Sequence, residues 1–280
     1  YGIVTETSIV ALFFAGVIPG LLLALGNALS VILIAMWLKL PRGTFDAKRL
    51  WPETKGALPA LGMPVVILGG LYGGLFTPTE AAAAGCGYAL LYGTIAKRGA
   101  FLRALVPTAC RSLNLTAVII FLVGSVGVFQ FLLANLYWPQ KATETVEAWG
   151  LSPLGFIFAF MGVLLILGMF VDGIAMVLLT MPVAFPVANA LGVDPIHLGI
   201  MLTLAVEMSV VTPPVGLNLF AVSGTAKIPV TQVLKGSVPF FLGDLLYLLG
   251  FGGRELFEQK GLGVEFHAYL LLPHAWYASA

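Results

Sequence analysis

Apolar runs separated by short polar stretches form the main pattern along this chain. The runs occupy residues 8–38, 58–75, 80–96, 113–135, 153–190, 196–225 and 233–251. Several are longer than the roughly 18 residues that an apolar helix needs to span a bilayer. The pattern predicts an all-α polytopic membrane protein.

Composition narrows the class of protein further. Of the 280 residues, 59% are hydrophobic and 10% are charged, whereas about a quarter of the residues of a soluble domain are charged. The formal net charge of +1 provides no basic surface for nucleic acid. We therefore expect the chain to be surrounded by a lipid bilayer and to bind no nucleic acid.

Basic residues orient the predicted spans. The segments 39–57 and 97–112 are both rich in lysine and arginine, which favours the cytoplasmic side. The 136–152 segment is not basic and carries tyrosine and tryptophan, as expected at the opposite interface. Lys227 indicates the cytoplasmic side again. Residues 153–225 are therefore expected to make a net single crossing.

Two pieces of that region are short for a crossing. At about 1.5 Å per residue, 153–167 and 174–190 fall short of a hydrocarbon core of about 30 Å. Together they predict a re-entrant hairpin over 153–190, which enters and leaves on one face with GMFVDG at its tip. The region 196–225 then makes one broken crossing.

The break in that crossing is the stretch VVTPPVGLNLF, residues 210–220. A helix cannot pass intact through Pro213 and Pro214, and hydrocarbon tolerates broken backbone only beside protein or a cavity. Thr212 is predicted to cap the second half-helix, and its hydroxyl can ligate a hard cation. Gly216 allows close approach and Asn218 offers an amide. The alternative is a proline kink without a ligand.

The predicted hairpin tip also has two interpretations. Gly168 and Gly173 free the backbone to coordinate an ion, and Asp172 is a carboxylate at membrane depth, which indicates function. The alternative is that Asp172 only caps the following helix. Glu207 fits either a proton or ion relay or a partner for a hydroxyl group. Asp244 lies in the last span without an evident role.

Two other short motifs are predicted to be helix starts. Thr77, Pro78 and Glu80 fit a capping box with proline in the first turn. Asp194 and Pro195 repeat the combination of a cap followed by proline. No zinc-protease, serine-hydrolase or phosphate-loop motif occurs, so we expect a protein that is not an enzyme.

Four motifs in order resemble one family. GGLFTPTEAAA (73–83), GMFVDG (168–173), DPIHLGI (194–200) and TPPVGLNLF (212–220) are similar to those of the large, DctM-like membrane subunit of TRAP transporters. The resemblance covers roughly residues 1–250. It implies sodium-driven uptake of small organic acids such as C4-dicarboxylates across the bacterial inner membrane, with sodium as the coupling ion and no other cofactor. The implied partners are a small membrane permease subunit and a periplasmic substrate-binding protein.

The resemblance also implies site residues, because it pairs the hairpin tip with the break. The implied sodium-binding residues are Gly168, Asp172, Gly173, Ser209, Thr212 and Val215. The implied substrate-binding residues are Thr212, Pro213, Pro214, Gly216 and Asn218.

The family fold has two inverted repeats of an elevator-type ion transporter, and this chain is expected to carry the second. The implied organisation is the end of the first repeat with a connecting span (1–38), a cytoplasmic basic loop (39–57), the second repeat (58–251) and an atypical tail (252–280). Within the second repeat lie scaffold spans (58–135), the re-entrant hairpin (153–190), the broken helix (196–225) and the last span (233–251).

Because the resemblance places only the second repeat in this sequence, we expect the chain to be a fragment of a longer protein. Two alternatives remain beside the transporter subunit. One is a truncated membrane remnant that does not transport. The other is a sodium/carboxylate symporter that needs no binding protein.

Overall fold

A computed structural model describes residues 1–39, 47–213 and 216–252. Within these ranges the regular structure is entirely helical, which confirms the predicted all-α class. The nine helices of the described residues are α1 (Ile9–Trp37), α2 (Ala47–Tyr72), α3 (Pro78–Asn135), α4 (Trp138–Ala148), α5 (Pro153–Gly168), α6 (Gly173–Ala190), α7 (Pro195–Ser209), α8 (Leu217–Ala226) and α9 (Val230–Gly252).

The described residues form two compact units. One comprises Tyr1–Lys39 together with the residues from Leu122 onward, and the other comprises the described residues between Leu40 and Phe121. Helix α3 contributes to both, since the division falls within it.

The core of the first unit lies around α7. This helix packs against α1, α5, α6 and α9, and nine of its residues are buried. Leu164 of α5, Met176 of α6 and Met201 of α7 are each 0% exposed, and Leu248 of α9 joins the same cluster. Most side chains of α7 are apolar and buried, which explains its central place, while the polar Thr203 and Glu207 lie on its exposed side.

In the second unit, α2 packs against the first part of α3. The Tyr88 hydroxyl donates a hydrogen bond to the Pro59 carbonyl oxygen at 2.7 Å. Gly85 faces Ile67, whose Cδ1 atom lies 2.6 Å from where a glycine Cβ would be. The absence of a side chain at Gly85 therefore lets the two helices approach closely.

Two predicted basic loops are helical where the structure describes them. Helix α2 begins at Ala47, so the loop expected over 39–57 is wrong for 47–57. The stretch 97–112 lies inside α3. Lysine, arginine, leucine and alanine are good helix formers, and positive charge sets orientation without ending a helix. Residues 40–46 lie outside the described residues, as does the tail from 253.

Five helices of the described residues are long and apolar enough to cross a membrane. They are Ile9–Trp37, Thr54–Tyr72, Arg103–Asn135, Gly173–Ala190 and Val230–Gly250. Large apolar side chains are exposed on them, including Leu25 at 66% and Phe121 at 75%. Such exposure suits contact with lipid rather than water.

The helix pairs of the predicted hairpin and break have nearly the expected bounds. α5 and α6 cover Pro153–Gly168 and Gly173–Ala190, and α7 and α8 cover Pro195–Ser209 and Leu217–Ala226. Helix α6, with 18 residues, has the length and composition of a span, whereas α5 is a shorter apolar helix. We call α5, α6 and the turn 169–172 between them the hairpin.

Candidate functional site

The turn of the hairpin forms one side of the candidate site. Asp172 has an extended backbone (φ −64°, ψ 149°) and caps α6, because its Oδ2 atom accepts a hydrogen bond from the Ile174 backbone N–H at 3.1 Å. The Asp172 side chain is exposed. The capping role that the sequence left open is therefore present, and the exposed carboxylate remains accessible to a ligand.

The end of α7 forms the other side. Ser209 is 0% exposed and Thr212 is 8% exposed. The Ser209 hydroxyl donates to the Val206 carbonyl oxygen at 2.7 Å, and the Thr212 hydroxyl donates to the Met208 carbonyl oxygen at 2.8 Å. Since each hydroxyl uses its proton on α7, its oxygen keeps lone pairs as an acceptor.

The hairpin and the end of α7 meet at two glycines. A Cβ atom on Gly168 would overlap the side chain of Ser209, and one on Gly173 would lie 2.7 Å from Val206 Cγ1. The structure therefore brings the hairpin tip and the end of α7 together. The sequence placed both glycines at the tip, but it did not indicate their partners on α7.

The break between α7 and α8 is built differently from the prediction. Gly216, at φ +49°, precedes α8 as its N-cap, and Thr212 instead bonds back to α7. The prediction that Thr212 caps the second half-helix is therefore wrong, because its hydroxyl finds a carbonyl one turn behind it. The Asn218 backbone N–H donates to the Val210 carbonyl oxygen at 3.2 Å, which ties α8 to the end of α7.

Of the other residues assigned to the break, two are exposed and two lie outside the described residues. Pro213 is exposed and belongs to neither helix, and the side chain of Asn218 is exposed. Pro214 and Val215, which the sequence assigned to substrate and sodium, lie outside the described residues.

The carboxyl ends of the helices in this region favour a cation. Helices α5 and α7 end at Gly168 and Ser209, and the carboxyl end of a helix carries about half a negative charge. No lysine or arginine occurs between residues 153 and 226. Across the described ranges, no group of three or more His, Cys, Asp or Glu side chains forms a metal cluster. The donors at hand are hydroxyl and carbonyl oxygens, which suit a hard cation.

The two predicted helix starts outside the site have the expected hydrogen bonds. The Thr77 backbone N–H and hydroxyl both donate to Glu80 Oε2, at 2.8 and 2.9 Å. Asp194 Oδ1 accepts from the His197 backbone N–H at 2.8 Å, directly before Pro195. Both motifs therefore serve as caps.

The beginning of α7 has a further anchor that the sequence did not reveal. The Tyr1 hydroxyl donates to the Pro195 carbonyl oxygen at 2.5 Å, and Gly199 leaves room for the Tyr1 ring, 2.8 Å from where a Cβ would be. Burial raises the pKa of the Tyr1 hydroxyl to about 12. It therefore stays protonated at neutral pH and remains a donor.

A polar group between α1 and α9 was also missed. Asp244, unexplained in the sequence, lies near Asn27 of α1 and Glu207 of α7. The Tyr247 hydroxyl donates to the Pro19 carbonyl oxygen at 2.5 Å. Polar residues inside apolar runs were the available signal, but sequence alone does not pair residues on distant helices.

Comparison with known proteins adds a family match. A family model described as "Tripartite ATP-independent periplasmic transporter, DctM component" matches residues 1–253.

Individual relatives are similar over most of this chain. The C4-dicarboxylate TRAP transporter large permease protein DctM of Pseudomonas aeruginosa is 37% identical over 250 residues, covering 89% of this chain and 58% of the relative. The sialic acid TRAP transporter large permease protein SiaM of Vibrio cholerae is 35% identical, covering 86% and 57%. The ectoine/5-hydroxyectoine TRAP transporter large permease protein UehC of Ruegeria pomeroyi is 35% identical, with the same coverage of 86% and 57%. The chain spans a little over half the length of these relatives.

Proposed function

Because this chain belongs to the DctM family, the large permease component of tripartite ATP-independent periplasmic (TRAP) transporters, we propose that it works in sodium-driven import of a small organic acid. The chain is a multi-pass protein of the bacterial inner membrane, and its relatives are named as transporter permeases rather than enzymes. The proposed partners are a small membrane permease subunit and a periplasmic binding protein that delivers the substrate.

The names of the relatives support a carboxylate substrate. They name C4-dicarboxylates, sialic acid, 2,3-diketo-L-gulonate and ectoine, and each of these compounds carries a carboxylate group. Helices α6 and α8 begin at Gly173 and Leu217, and free N–H groups at helix N-termini suit such anions. We propose that Thr212, Pro213, Pro214, Gly216 and Asn218 contact the substrate.

The observation that carries the sodium proposal is the contact between Gly168 and the buried Ser209, at the carboxyl ends of α5 and α7. Two negative helix ends and two hydroxyl oxygens lie together there without a lysine or arginine in the segment. This donor set fits a sodium ion. The residues proposed to hold the ion are Gly168, Asp172, Gly173, Ser209, Thr212 and Val215.

The experiment that tests this function is uptake into proteoliposomes. The chain is reconstituted with the small permease subunit, the binding protein is added outside, and labelled succinate, sialic acid and ectoine are offered under an inward sodium gradient. A parallel preparation uses the chain extended to the full length of its relatives.

We expect sodium-dependent uptake of at least one of these acids by the extended preparation, and none when potassium replaces sodium. Uptake that is equal in sodium and potassium would overturn sodium coupling. No uptake of any acid, by a preparation that binds its partners, would overturn the transport proposal.

A further inference from the structure

The last turn of α7 touches the hairpin on both sides of its tip. Gly168, the last residue of α5, meets the side chain of Ser209. Gly173, the first residue of α6, meets Val206, whose Cγ1 atom lies 2.7 Å from where a glycine Cβ would be. Val206 and Ser209 are three residues apart and therefore lie on one face of α7. The turn 169–172 is thus held against α7 at both of its ends.

Val206 takes part in this arrangement in two ways. Its side chain is partly buried, packs against the core around α7 and meets Gly173. Its backbone carbonyl oxygen accepts a hydrogen bond from the Ser209 hydroxyl at 2.7 Å and another from the Val210 backbone N–H at 3.3 Å. One residue therefore contacts the hairpin and also fixes where the Ser209 hydroxyl lies.

The stretch of chain that follows Val206 is closed by its own hydrogen bonds. The Val211 backbone N–H donates to the Met208 carbonyl oxygen at 3.2 Å, and the Thr212 backbone N–H donates to the Ser209 carbonyl oxygen at 3.0 Å. The Thr212 hydroxyl also donates to the Met208 carbonyl oxygen, at 2.8 Å. A displacement of Val206 would therefore carry the oxygens of Ser209 and Thr212 with it.

The hairpin tip is closed by its own hydrogen bonds as well. The Val171 backbone N–H donates to the Leu167 carbonyl oxygen at 3.0 Å, and the Met176 backbone N–H donates to the Asp172 carbonyl oxygen at 2.8 Å. The Asp172 side chain accepts from the Ile174 backbone N–H at 3.1 Å. Since each side keeps its own shape, the side chains that touch across the gap set the distance between the tip and α7.

We propose that Val206 is a positioning residue that, through its contact with Gly173, sets the distance between the hairpin tip and the last turn of α7, and thereby the size of cation that fits between them. The contact itself stands on geometry, whereas the choice of cation size rests on the sodium site proposed above. Selectivity between hard cations depends on the size and flexibility of the cavity that their oxygen ligands form. Valine suits this role, because its branched side chain is restricted in rotation.

The contact is tested by moving a methyl group from one side of it to the other. The variants are Val206→Ala, Gly173→Ala and the double variant, made in the whole chain in lipid nanodiscs and unfolded thermally in choline chloride. The φ angle of Gly173 is not positive, so alanine suits its backbone and only the contact opposes it. The matched controls on α5 are Val163→Ala, at a side chain that is 49% exposed, and Gly162→Ala, where nothing lies within 4 Å of an added Cβ.

We expect each single variant to lower Tm by about 2–8 °C, Gly173→Ala through overpacking and Val206→Ala through lost packing. The double variant should be more stable than Gly173→Ala, because the loss of Cγ1 makes room for the new methyl group. Gly162→Ala should not lower Tm, and Val163→Ala should lose less than half as much as Val206→Ala. Losses that simply add in the double variant would overturn the contact.

The choice of cation size is tested by the ratio of two half-saturating concentrations, that of lithium over that of sodium, each taken from the rise in Tm at constant ionic strength. We expect Val206→Ala to lower this ratio about threefold to tenfold, because the gap closes towards the smaller ion. Gly173→Ala should raise the ratio by a similar factor, because the added methyl group widens the gap, and the double variant should return to within about twofold of the wild type. Changes in Tm without a change in the ratio, or shifts of both single variants in the same direction, would overturn the positioning role.

The design stays decisive if one variant or one ion gives no signal. Should Gly173→Ala not fold alone, a folded double variant would be a rescue by Val206→Ala and would support the contact, whereas failure of both would overturn it. If lithium does not stabilise the wild type, a lithium response gained in Val206→Ala replaces the ratio, and its absence would overturn the positioning role. A wild-type chain without any sodium response would instead overturn the proposed sodium site, while unfolding in choline still decides the contact.

Discussion

Gly168 has no side chain at the point where the Ser209 side chain occupies the space that a Cβ atom would need. Position 168 at the hairpin tip therefore requires glycine, because a larger residue would overlap Ser209. The requirement comes from packing and not from backbone conformation. The Ser209 hydroxyl is in turn held by the Val206 carbonyl oxygen at 2.7 Å, so its oxygen has a defined position. At the scale of residues, the candidate site depends on how closely a glycine and a serine approach.

Replacement of Gly168 by alanine is predicted to open this contact. The added methyl group overlaps Ser209, and overpacking of this kind costs about 1–3 kcal/mol. Thermal unfolding in nanodiscs is the measurement. Gly162→Ala on the same helix is the control, because nothing lies within 4 Å of its added Cβ. Equal stability of the two variants would show that the contact is not tight.

Replacement of Thr212 by alanine is predicted to weaken sodium binding. The loss of one hydroxyl ligand corresponds to about 1 kcal/mol, or about a fivefold rise in the half-saturating sodium concentration. The rise in Tm with sodium at constant ionic strength gives this concentration. Thr203→Ala is the control, since its hydroxyl makes the same bond, to Gly199 at 2.8 Å, away from the break. The assignment of Thr212 fails if both variants respond to sodium like the wild type.

At the scale of elements, the positions of the helix ends determine where cations and anions can bind. Helices α5 and α7 end where Gly168 meets Ser209, while α6 begins one short turn away behind the Asp172 cap. Carboxyl ends attract cations and amino ends attract anions. The hairpin therefore places ends of both signs within one region, which is what a carrier of sodium and a carboxylate requires.

Asp172 allows its capping role to be separated from an ionic one. Asparagine caps helices about as well as aspartate, so Asp172→Asn is expected to keep the stability of the chain, whereas Asp172→Ala loses about 1 kcal/mol. Both variants lack the negative charge, and we expect both to raise the half-saturating sodium concentration severalfold. Thermal unfolding with and without sodium measures both effects. An unchanged sodium response in Asp172→Asn would show that Asp172 acts only as a helix cap and not in sodium binding.

At the scale of the whole molecule, large apolar side chains occur both on the exposed surface and in the core. Leu25, Phe121 and Leu246 are 66%, 75% and 71% exposed, which is compatible with lipid and not with water. The core around α7 is packed with methionine as well as leucine, and Met176, Met181 and Met201 are all 0% exposed. Methionine adapts to irregular spaces, which suits packing between a hairpin and a helix that ends at a break.

The path of the hairpin through the membrane can be measured by labelling with a membrane-impermeant thiol reagent. Cys86 and Cys110, both exposed, are first replaced by serine, and cysteine is then placed at Phe170, which is 67% exposed. In a re-entrant hairpin, position 170 does not reach the cytoplasmic side of the membrane. We therefore expect no labelling of position 170 when the reagent is added on the cytoplasmic side. Cysteine at Lys227 should be labelled from the cytoplasm and serves as the control. Cytoplasmic labelling of position 170 would mean that α5 and α6 each cross.

The sequence by itself determined the features that depend on composition or on a few neighbouring residues. Long apolar runs decided the membrane class and the helical fold. The caps at Thr77, Asp172 and Asp194 were predictable because each hydrogen bond reaches no more than three residues along the chain. The hairpin followed from the lengths of its two apolar pieces and from the basic segments that orient the chain, and the broken helix followed from proline, which acts locally on the backbone.

Only the tertiary structure decided which distant residues meet and which way a side chain turns. Ser209 against Gly168, and Asn27 beside Asp244, join helices whose contact no local pattern specifies. Thr212 turned to α7 rather than to α8 because a carbonyl one turn behind it was within reach. Helix α3 continued through a basic stretch because charge orients a membrane segment, whereas backbone hydrogen bonding and packing decide where its helices end.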